Sequence, residues 1–567
     1  MDFFDYAWTT SFQITRKKHE EVKLLVRNDV MFPRFGRDRD GYVICLPEPR
    51  RVSENTVDFQ GFLLKTDNPL HRKVLWQLFK ASIYHLSLHV ATSGFESYSK
   101  WARNKDANLA LFTAVIIEDA VVAAHVKTLW TPLIPDIALA NTIAYLRLKP
   151  TQVIFDDSLR LMAAILSNYT IGKCKGNSPK QMQKDTEEIV QHLRQIEDAT
   201  SKQLSENNHD PSTVNKLEIA EQIYRKLYEY GTPSTVVSLP YTDTYNGNAV
   251  YRKNVTASEE EFYSTLALAF SRLGSNVFVD ESCERETSQA FSAWGAREAH
   301  EQKILEGYKE IIASTRFSGI EFPREDYTEY LRSKQLLSGP VRRIMEKLRL
   351  LKNITGEDFR QESGFVDLQE AIQIVASKSQ RTDIFVREEY QSKEEAWAIM
   401  IDASRSLGFF TGEVRGIALC LAETAKNLIP NREAWGMFAF SDKFYIIKDF
   451  SENYSTRVRA RIGGLNHGGL TYLPDALKIV SNELKQHTEQ AKVILAVSDF
   501  YPLGDSEMEN ELTQSAKQIE RSGVGLIGVG VVSRAVRNYF STNCVVETPY
   551  DLMKKFTKAY LEYGATL

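Results

Sequence analysis

Cysteine is scarce in this chain of 567 residues, which contains five. They are scattered along the sequence without any CxxC pair, at Cys45, Cys174, Cys283, Cys420 and Cys544. This spacing excludes a zinc ribbon and gives no disulfide framework, since both need paired cysteines at short, regular intervals. We therefore expect the protein to work in a reducing compartment.

Long hydrophobic runs are also missing. No window approaches 18 uninterrupted apolar residues, which is about the length needed to cross a bilayer. The N-terminal segment "MDFFDYAWTTSFQITRKKHEE" lacks the basic start and apolar stretch of a signal peptide. The sequence therefore predicts no membrane span and a cytoplasmic location.

Neither sign of charge dominates. The 70 Lys and Arg residues nearly balance the 74 Asp and Glu residues, leaving a net charge of -4. A strongly basic footprint of the kind that binds nucleic acid is absent, so we expect no nucleic-acid partner. Hydrophobic residues make up 43% of the chain, enough for several buried cores, and the length suggests roughly three or four domains.

The pattern up to residue 382 is mainly helical. Long apolar-periodic segments such as "HRKVLWQLFKASIYHLSLHV" and "NLALFTAVIIEDAVVAAHV" indicate helices packed on helices. We predict an all-helical N-terminal domain over residues 1–235, followed by a helical middle region or linker over 236–382. Ser258 followed by Glu261 forms a capping box, which predicts that a helix begins there.

After about Thr382 short apolar runs alternate with amphipathic segments. The runs are "AWAIMID", "EAWGMFAFS", "KFYIIKDF", "KVILAVSD" and "GVGLIGVGVV". Continuous rather than alternating hydrophobicity is typical of parallel strands that are covered on both faces. The pattern predicts an α/β doubly wound, Rossmann-like domain over residues 383–567, and ligands of such sheets bind at the carboxyl ends of the strands.

Oxygen-bearing side chains follow these strand ends. Asp402, Ser404 and Ser406 come at alternate positions after "AWAIM", so an extended chain turns them to one side. Thr471 lies in the glycine-containing loop "NHGGLTYLPDAL", and Asp499 ends "KVILAVSD". Two carboxylates and three hydroxyls are hard donors that suit octahedral Mg²⁺ with one position open to an incoming ligand.

This constellation resembles the metal-ion-dependent adhesion site (MIDAS) of the von Willebrand factor A (vWA) domain, and the five residues match its motif one by one. The resemblance covers about residues 383–567. It implies that Mg²⁺, or another divalent cation such as Mn²⁺ or Ca²⁺, docks a carboxylate of a partner protein and does no catalysis. One position departs from the pattern, because many members have Gly where this chain has Phe500.

A glycine motif of a different kind lies within the last apolar run. Gly523, Gly525 and Gly528 spell GxGxxG, but they stand inside the run and not between a strand and a helix. A phosphate-binding loop needs its glycines between a strand and a helix, so we predict no dinucleotide site. The sequence also contains no GxxxxGK[ST] loop. If ATP drives this protein, we expect the ATPase to be another chain.

A possible second metal site lies in the helical half. His85 and His89 stand four apart in "HLSLH", and Glu118 and Asp119 follow on a later helix. An HExxH peptidase uses two such histidines as zinc ligands and a downstream glutamate as the third, for which Glu118 is the candidate. Leu86 occupies the position of the catalytic glutamate. The alternative is structural: histidines hydrogen-bonded at a helix interface and acids that hold helices together.

The order of domains resembles the NorD and CbbO family, whose members work beside MoxR-type AAA+ ATPases. Some bacterial proteins of similar order carry HExxH followed by Leu-Glu-Asp, and "HLSLH" with "IIEDA" resembles that pattern. The resemblance implies a non-catalytic adaptor: the helical part binds the ATPase, and the MIDAS holds an acidic residue of a client enzyme. One alternative is a metal-dependent, peptidase-like hydrolase using His85, His89 and Glu118. An adhesion-like receptor is a further alternative, which the missing signal peptide and disulfides disfavour.

Overall fold

The structure is a computed structural model that describes residues 2–38, 41–92, 95–206, 215–242, 250–253, 257–274, 282–352, 356–361, 365–366, 368, 371–372, 374, 382, 385–389, 394–501 and 506–564. The chain forms two compact units, Met1–Ala299 (unit 1) and His300–Leu567 (unit 2). The predicted middle region, 236–382, is divided between them.

Unit 1 begins with a helix and six short strands. The expectation of an all-helical N-terminal domain is wrong for this segment, because residues 22–65 form two three-stranded sheets, in the orders β1-β3-β2 and β4-β5-β6. In β1 and β6 buried residues alternate with more exposed ones, as strands with one covered face require. The elements are α1 (Phe3–Thr15), β1 (Val22–Arg27), β2 (Arg34–Arg37), β3 (Tyr42–Pro47), β4 (Arg50–Ser53), β5 (Thr56–Phe59) and β6 (Phe62–Lys65).

The remainder of unit 1 is helical, as the sequence predicts. The predicted helix start is confirmed, since the Ser258 hydroxyl accepts a hydrogen bond from the Glu261 N–H at the start of a helix. The helices are α2 (Pro69–Thr92), α3 (Phe95–Trp101), α4 (Ala107–Leu129), α5 (Ile134–Arg147), α6 (Asp157–Ile171), α7 (Lys180–Glu206), α8 (Lys216–Tyr228), α9 (Glu259–Arg272) and α10 (Ser282–Ile312), the last of which includes the first residues of unit 2.

Helices α2 and α4 supply much of the core of unit 1. Helix α2 is buried without interruption from Val74 to Val90, so its polar side chains in that stretch are buried too. Among the described residues, α4 is the one helix long and apolar enough to cross a membrane by length and composition alone, and 72% of its most apolar window is buried. The core helix of a folded unit meets the same criteria.

Unit 2 is built on a seven-stranded, mostly parallel sheet. Its strand order is β16-β15-β14-β11-β12-β13-β7, and the pairing is parallel except between β12 and β13. A separate small sheet has the order β8-β10-β9. The strands are β7 (Ile320–Glu321), β8 (Gly356–Gln361), β9 (Phe365–Val366), β10 (Phe385–Glu389), β11 (Glu395–Asp402), β12 (Trp435–Phe440), β13 (Phe444–Lys448), β14 (Ala491–Ser498), β15 (Val524–Val531) and β16 (Thr542–Val546).

The order of the large sheet reverses beside its first long strand. From β11 the chain proceeds outward through β12 and β13, then returns to add β14, β15 and β16 on the other side of β11. This is the 3-2-1-4-5-6 order of doubly wound folds, in which the crevice at the carboxyl ends of the two central strands binds ligands. The ends of β11 and β14 border that crevice.

Helices cover both faces of this sheet. Every residue of β12 and β15 is buried, as are almost all residues of β11 and β14, which requires cover on each side. The helices of unit 2 after α10 are α11 (Tyr327–Leu336), α12 (Ser338–Lys352), α13 (Thr411–Leu428), α14 (Thr456–Gly463), α15 (Leu473–Lys485), α16 (Ser506–Arg521) and α17 (Pro549–Gly564).

Three glycines of the last apolar run, Gly525, Gly528 and Gly530, lie within strand β15 and allow close packing, whereas Gly523 precedes the strand. A Cβ atom on Gly528 would collide with the Val536 side chain, and one on Gly530 would collide with the Ser533 backbone oxygen. The segment after the strand therefore packs directly onto the strand backbone.

We expect Gly530→Ala to destabilise unit 2 by about 1–3 kcal/mol, because backbone must move to admit the methyl group. Gly412→Ala is the matched control: it adds the same methyl group in helix α13 with no atom within 4 Å, so it should leave stability unchanged or raise it slightly. Denaturant unfolding of the full chain measures both. Equal stability of the two variants would contradict the packing role.

Candidate metal centre

Three segments of unit 2 meet at the carboxyl edge of the large sheet. Asp402 is the last residue of β11, and Asp499 directly follows β14, the adjacent parallel strand. Between them in sequence, as the second segment, is the loop that carries Thr471 into helix α15. These are the positions that the sequence predicts for a cation site at this edge.

The first segment turns back toward Asp402 as it leaves β11. The Asp402 Oδ1 atom accepts a hydrogen bond of 2.8 Å from the Ser404 N–H, which turns the chain as it leaves the strand. The hydroxyls of Ser404 and Ser406 lie 2.9 Å apart. The segment thus gathers a carboxylate and two hydroxyls, as alternate positions of an extended chain predict.

The second segment is hydrogen-bonded to the first. The Gly468 N–H donates to the Ala403 carbonyl over 2.8 Å, and the Arg405 N–H donates to the Gly469 carbonyl over 3.3 Å. Gly469 has a φ of 73°, a left-handed conformation that favours glycine. Thr471 follows this turn and is only 1% exposed, and its Oγ1 has no hydrogen-bond partner among the described residues.

The third segment is joined to Asp402 through a serine that the sequence analysis missed. The Ser498 hydroxyl donates a hydrogen bond of 2.5 Å to the Asp402 Oδ2 atom. Asp499 is buried beside it, and its Oδ1 accepts from the Tyr501 N–H over 3.1 Å. Its position in the sequence could have indicated this role, because Ser498 is the last residue of β14, the strand that pairs with β11.

Phe500 occupies the position where the vWA pattern has glycine, and its backbone explains that pattern. Its φ is 57°, in the left-handed region that a side chain disfavours. Burial offsets the cost, because the Phe500 ring is 1% exposed and meets the Phe540 ring edge-on at 5.0 Å. Packing of the ring therefore stabilises the backbone conformation of the residue that follows Asp499.

The electrostatics of this edge favour a bound cation. Burial, with a smaller contribution from the charge of Asp499, raises the pKa of Asp402 to about 6, against hydrogen bonds from Ser404 and Ser498 that lower it. Burial also lowers the pKa of His467, in the same loop as Thr471, to about 4, so this imidazole is neutral at pH 7. Two acidic groups therefore face one buried site.

The donors fit a hard divalent cation. They are carboxylate and hydroxyl oxygens, the ligand class of Mg²⁺, Mn²⁺ and Ca²⁺. The buried Thr471 Oγ1 atom, which has no partner within the described part of the chain, could serve as one of the ligands. It would also neutralise the repulsion between Asp402 and Asp499.

The histidines of unit 1 also cluster with an acid, but not with the predicted one. His85 and His89 lie on α2, and their Nε2 atoms each lie 3.0 Å from Asp119 Oδ1 on α4. The two Nε2 atoms are 2.9 Å apart. Among the described residues, these three side chains form the one group of His, Cys, Asp or Glu residues close enough to hold a metal ion.

The structure does not bring Glu118, the predicted third ligand, to the two histidines. Its Oε1 atom accepts hydrogen bonds from the Tyr98 hydroxyl at 3.1 Å and from Lys216 Nζ at 3.3 Å. Adjacent helical residues point about 100° apart, so only one of Glu118 and Asp119 can face α2. Leu86 is fully buried, and no glutamate stands there to act as a base.

Protonation in this cluster suits metal ligation. Burial lowers the pKa of His85, although the Asp119 carboxylate opposes that shift. Burial acts to raise the pKa of Asp119, but both histidines outweigh it and hold that pKa well below its usual range. The group therefore offers a neutral imidazole and an ionised carboxylate at pH 7.

No protein-family model matches the chain, and a search of curated proteins finds no match. Among solved structures, the chain is similar to a manganese-loaded crystal structure of the Plasmodium vivax TRAP protein, at 14% identity and a TM-score of 0.24 over 29% of this chain and 74% of that one. It is also similar to the Deinococcus radiodurans Ro (RSR) protein, at 11% identity and a TM-score of 0.22 over 88% of this chain and 84% of that one. Neither similarity is close enough to support an argument about function.

Proposed function

We propose that unit 2 contains a vWA-type domain and that its carboxyl edge is a MIDAS. In this proposal Asp402, Ser404, Ser406, Thr471 and Asp499 hold Mg²⁺ directly or through water. The open position of the ion receives a carboxylate from a partner protein. The function is reversible, cation-dependent docking.

The observation that carries this proposal is the buried hydroxyl of Thr471, which has no hydrogen-bond partner among the described residues and lies in a loop that is hydrogen-bonded to the Asp402 segment at the switch point of the sheet. A hydroxyl buried without a hydrogen bond costs free energy, on the order of 1–3 kcal/mol. A divalent cation between Asp402 and Asp499 removes that cost and the repulsion together. A purely structural role for these residues would explain neither the buried hydroxyl of Thr471 nor the repulsion between the two acids.

Exposed apolar side chains in the same loops favour a protein as the ligand. Phe409 is 97% exposed, Leu470 is 46% exposed and Tyr501 is 60% exposed. They lie three residues after Ser406, immediately before Thr471 and two residues after Asp499, so each ligand segment carries one. A central carboxylate–metal bond with apolar contacts around it is a suitable anchor for an interface.

The finer proposal is that the protein is an adaptor for a MoxR-type AAA+ ATPase, as the resemblance to the NorD and CbbO family implies. The MIDAS holds an acidic residue of a client enzyme, and the helical region binds the ATPase that remodels the client. A bond that forms only when a carboxylate completes the metal shell can be released, which suits a subunit that must hold and then free a client.

Docking and ion binding are separable by mutation, which gives the test. We expect Phe409→Ser to retain Mn²⁺ affinity within about threefold, because this exposed side chain is not a ligand, and to weaken partner capture roughly tenfold or more, as loss of an aromatic anchor does. Asp402→Ala should lose both. Mn²⁺ binding is measured by titration calorimetry, and partner capture by pull-down from native lysate with Mg²⁺ or with EDTA.

The matched control is Phe155→Ser, which changes a 93% exposed phenylalanine of unit 1 and should alter neither property. A partner captured equally by wild type and Asp402→Ala, or equally with Mg²⁺ and EDTA, would rule out docking through the ion. An AAA+ ATPase recovered with wild type and with Asp402→Ala would support the adaptor role. Its absence from both would remove that role and leave the docking proposal standing.

A further inference from the structure

We propose that His85, His89 and Asp119 of unit 1 bind a divalent transition-metal ion of the class of Zn²⁺ and Fe²⁺. This site is independent of the MIDAS: it uses different ligand chemistry and lies in the other unit. It is not the peptidase site that the HxxxH spacing suggests, since its acid is Asp119 and its helix carries Leu86 in place of a base.

The distances among the three donor atoms form a nearly equilateral triangle. The sides are 2.9 Å between the two Nε2 atoms and 3.0 Å from each Nε2 to Asp119 Oδ1. Donors on a tetrahedron around zinc, with bonds of about 2.0–2.1 Å, lie about 3.3 Å apart. A small outward movement of each side chain therefore admits an ion above the plane of the triangle.

Hydrogen bonding alone does not satisfy this triangle. Each imidazole nitrogen has one in-plane direction, which carries either a proton or a lone pair. If both Nε2 atoms donate to Asp119 Oδ1, the two N–H groups converge on one oxygen, and no hydrogen bond accounts for the 2.9 Å contact between the two nitrogens. If His85 donates to His89, the lone pair of one ring nitrogen is spent, and the 3.0 Å contact of His89 with the carboxylate has no proton. A metal ion accepts all three lone pairs at one point.

Burial and chain geometry hold the ligands in place. His85 is 5% exposed and His89 is 4% exposed, one helical turn apart on α2. Residues four apart on a helix share a face, so both rings point toward α4 without strain. Two buried imidazoles and one carboxylate are the ligand set of catalytic zinc sites and of non-haem iron sites, both of which leave positions open.

The open side of the proposed site is a cavity within unit 1. His85 and Asp119 line a mostly apolar cavity of about 50 Å³ that is partly open to solvent. At another part of its wall Glu197 is paired with Lys127 and Arg272. An ion at the triangle can therefore exchange with solvent and can keep a water or small anion as a further ligand.

The test is metal analysis of the full chain, using Zn²⁺ and Fe²⁺ as probes. In the Asp402→Ala background, which removes the MIDAS, we expect about one transition-metal ion per chain by mass spectrometry. Asp119→Asn and His89→Ala should each weaken Zn²⁺ binding at least about 100-fold, since removing a direct ligand costs no less than removing a group that supports one.

Glu118→Gln is the matched control, because it changes the adjacent buried carboxylate, which binds Tyr98 and Lys216 instead. It should keep its metal. Circular dichroism checks that each variant is folded. If the ligand variants misfold, Co²⁺ binding to the Asp402→Ala chain decides: visible absorption bands of a four- or five-coordinate N/O site support the proposal, and no bands overturn it. Equal metal loss in Glu118→Gln and Asp119→Asn, or no tightly bound Zn²⁺ or Fe²⁺ in the parent chain, also overturns it.

Discussion

Asp402→Asn is expected to abolish divalent-cation binding by unit 2 and, when no cation is present, to make that unit more stable. The two effects have one cause. A carboxylate that is fully buried beside a second acid is suited to a bound ion and is costly without it. Replacing it with a neutral amide removes the ligand charge and the cost together.

The sign and the pH range follow from the raised pKa of Asp402. Burial raises this pKa from 3.8 to about 6, so the folded chain prefers the protonated form. The stabilising contribution of that form is complete below pH 4 and is lost as the pH rises through 6. The loss amounts to about 3 kcal/mol at pH 7, because one pKa unit corresponds to about 1.4 kcal/mol.

Asparagine preserves the local hydrogen bonds of Asp402 while removing the charge. Its amide oxygen can accept from the Ser404 N–H, and its amide nitrogen can donate to the Ser498 hydroxyl. In EDTA we therefore expect Asp402→Asn to gain stability over wild type at pH 7 and to show little difference at pH 4.

Thermal unfolding at several pH values, with EDTA or with millimolar Mg²⁺, measures both effects. Mg²⁺ should stabilise wild type and leave Asp402→Asn unchanged. Glu507→Gln, which removes an equal charge from an exposed position, is the control and should follow wild type. A variant less stable than wild type in EDTA, or one still stabilised by Mg²⁺, would contradict the metal site.

Arg461→Ala is expected to destabilise unit 2 by about 3–5 kcal/mol, the cost of breaking a buried ion pair. Arg461 is 1% exposed, and its guanidinium lies 2.9 Å from Glu452 Oε1 and 2.9 Å from Glu301 Oε1. It also covers the Phe322 ring at 4.0 Å. Removing it leaves the buried Glu452 without its cation.

Denaturant unfolding of the full chain measures this loss. Arg534→Ala removes an exposed arginine of the same unit and should change the free energy of unfolding by less than about 0.5 kcal/mol. The double variant Arg461→Met with Glu452→Gln should recover much of the loss, because it removes both members of that pair and keeps side-chain volume. If Arg461→Ala proves as stable as Arg534→Ala, the ion pair does not stabilise unit 2.

The sequence predicts the large sheet of unit 2 well because its strands are continuous apolar runs. All five runs named from the sequence are strands, from β11 to β15. Strand β16, in "STNCVVET", was not predicted because polar residues interrupt its apolar pattern at the edge of the sheet. The strands over residues 22–65 were not predicted because they are short and only partly buried, so the alternation of apolar and polar residues is weak there.

The candidate sites were predictable to different degrees, for a geometrical reason. Strand ends of a parallel sheet share one edge, so Asp402 and Asp499 could be expected to meet once the strands were known. Helices allow no such inference, because the rotation of α4 against α2 is set by packing. That rotation turns Asp119 toward the histidines and Glu118 toward Tyr98.

The separation of Asp402, Thr471 and Asp499 along the chain means that the proposed cation site forms only when folding of unit 2 is complete. No two of the three are close in sequence, and the two aspartates meet only when β14 has inserted beside β11. Such long-range pairing forms slowly relative to helices. Under the docking proposal, a nascent or partly unfolded chain would therefore lack the cation site, and binding of the ion would report that β14 has been inserted beside β11.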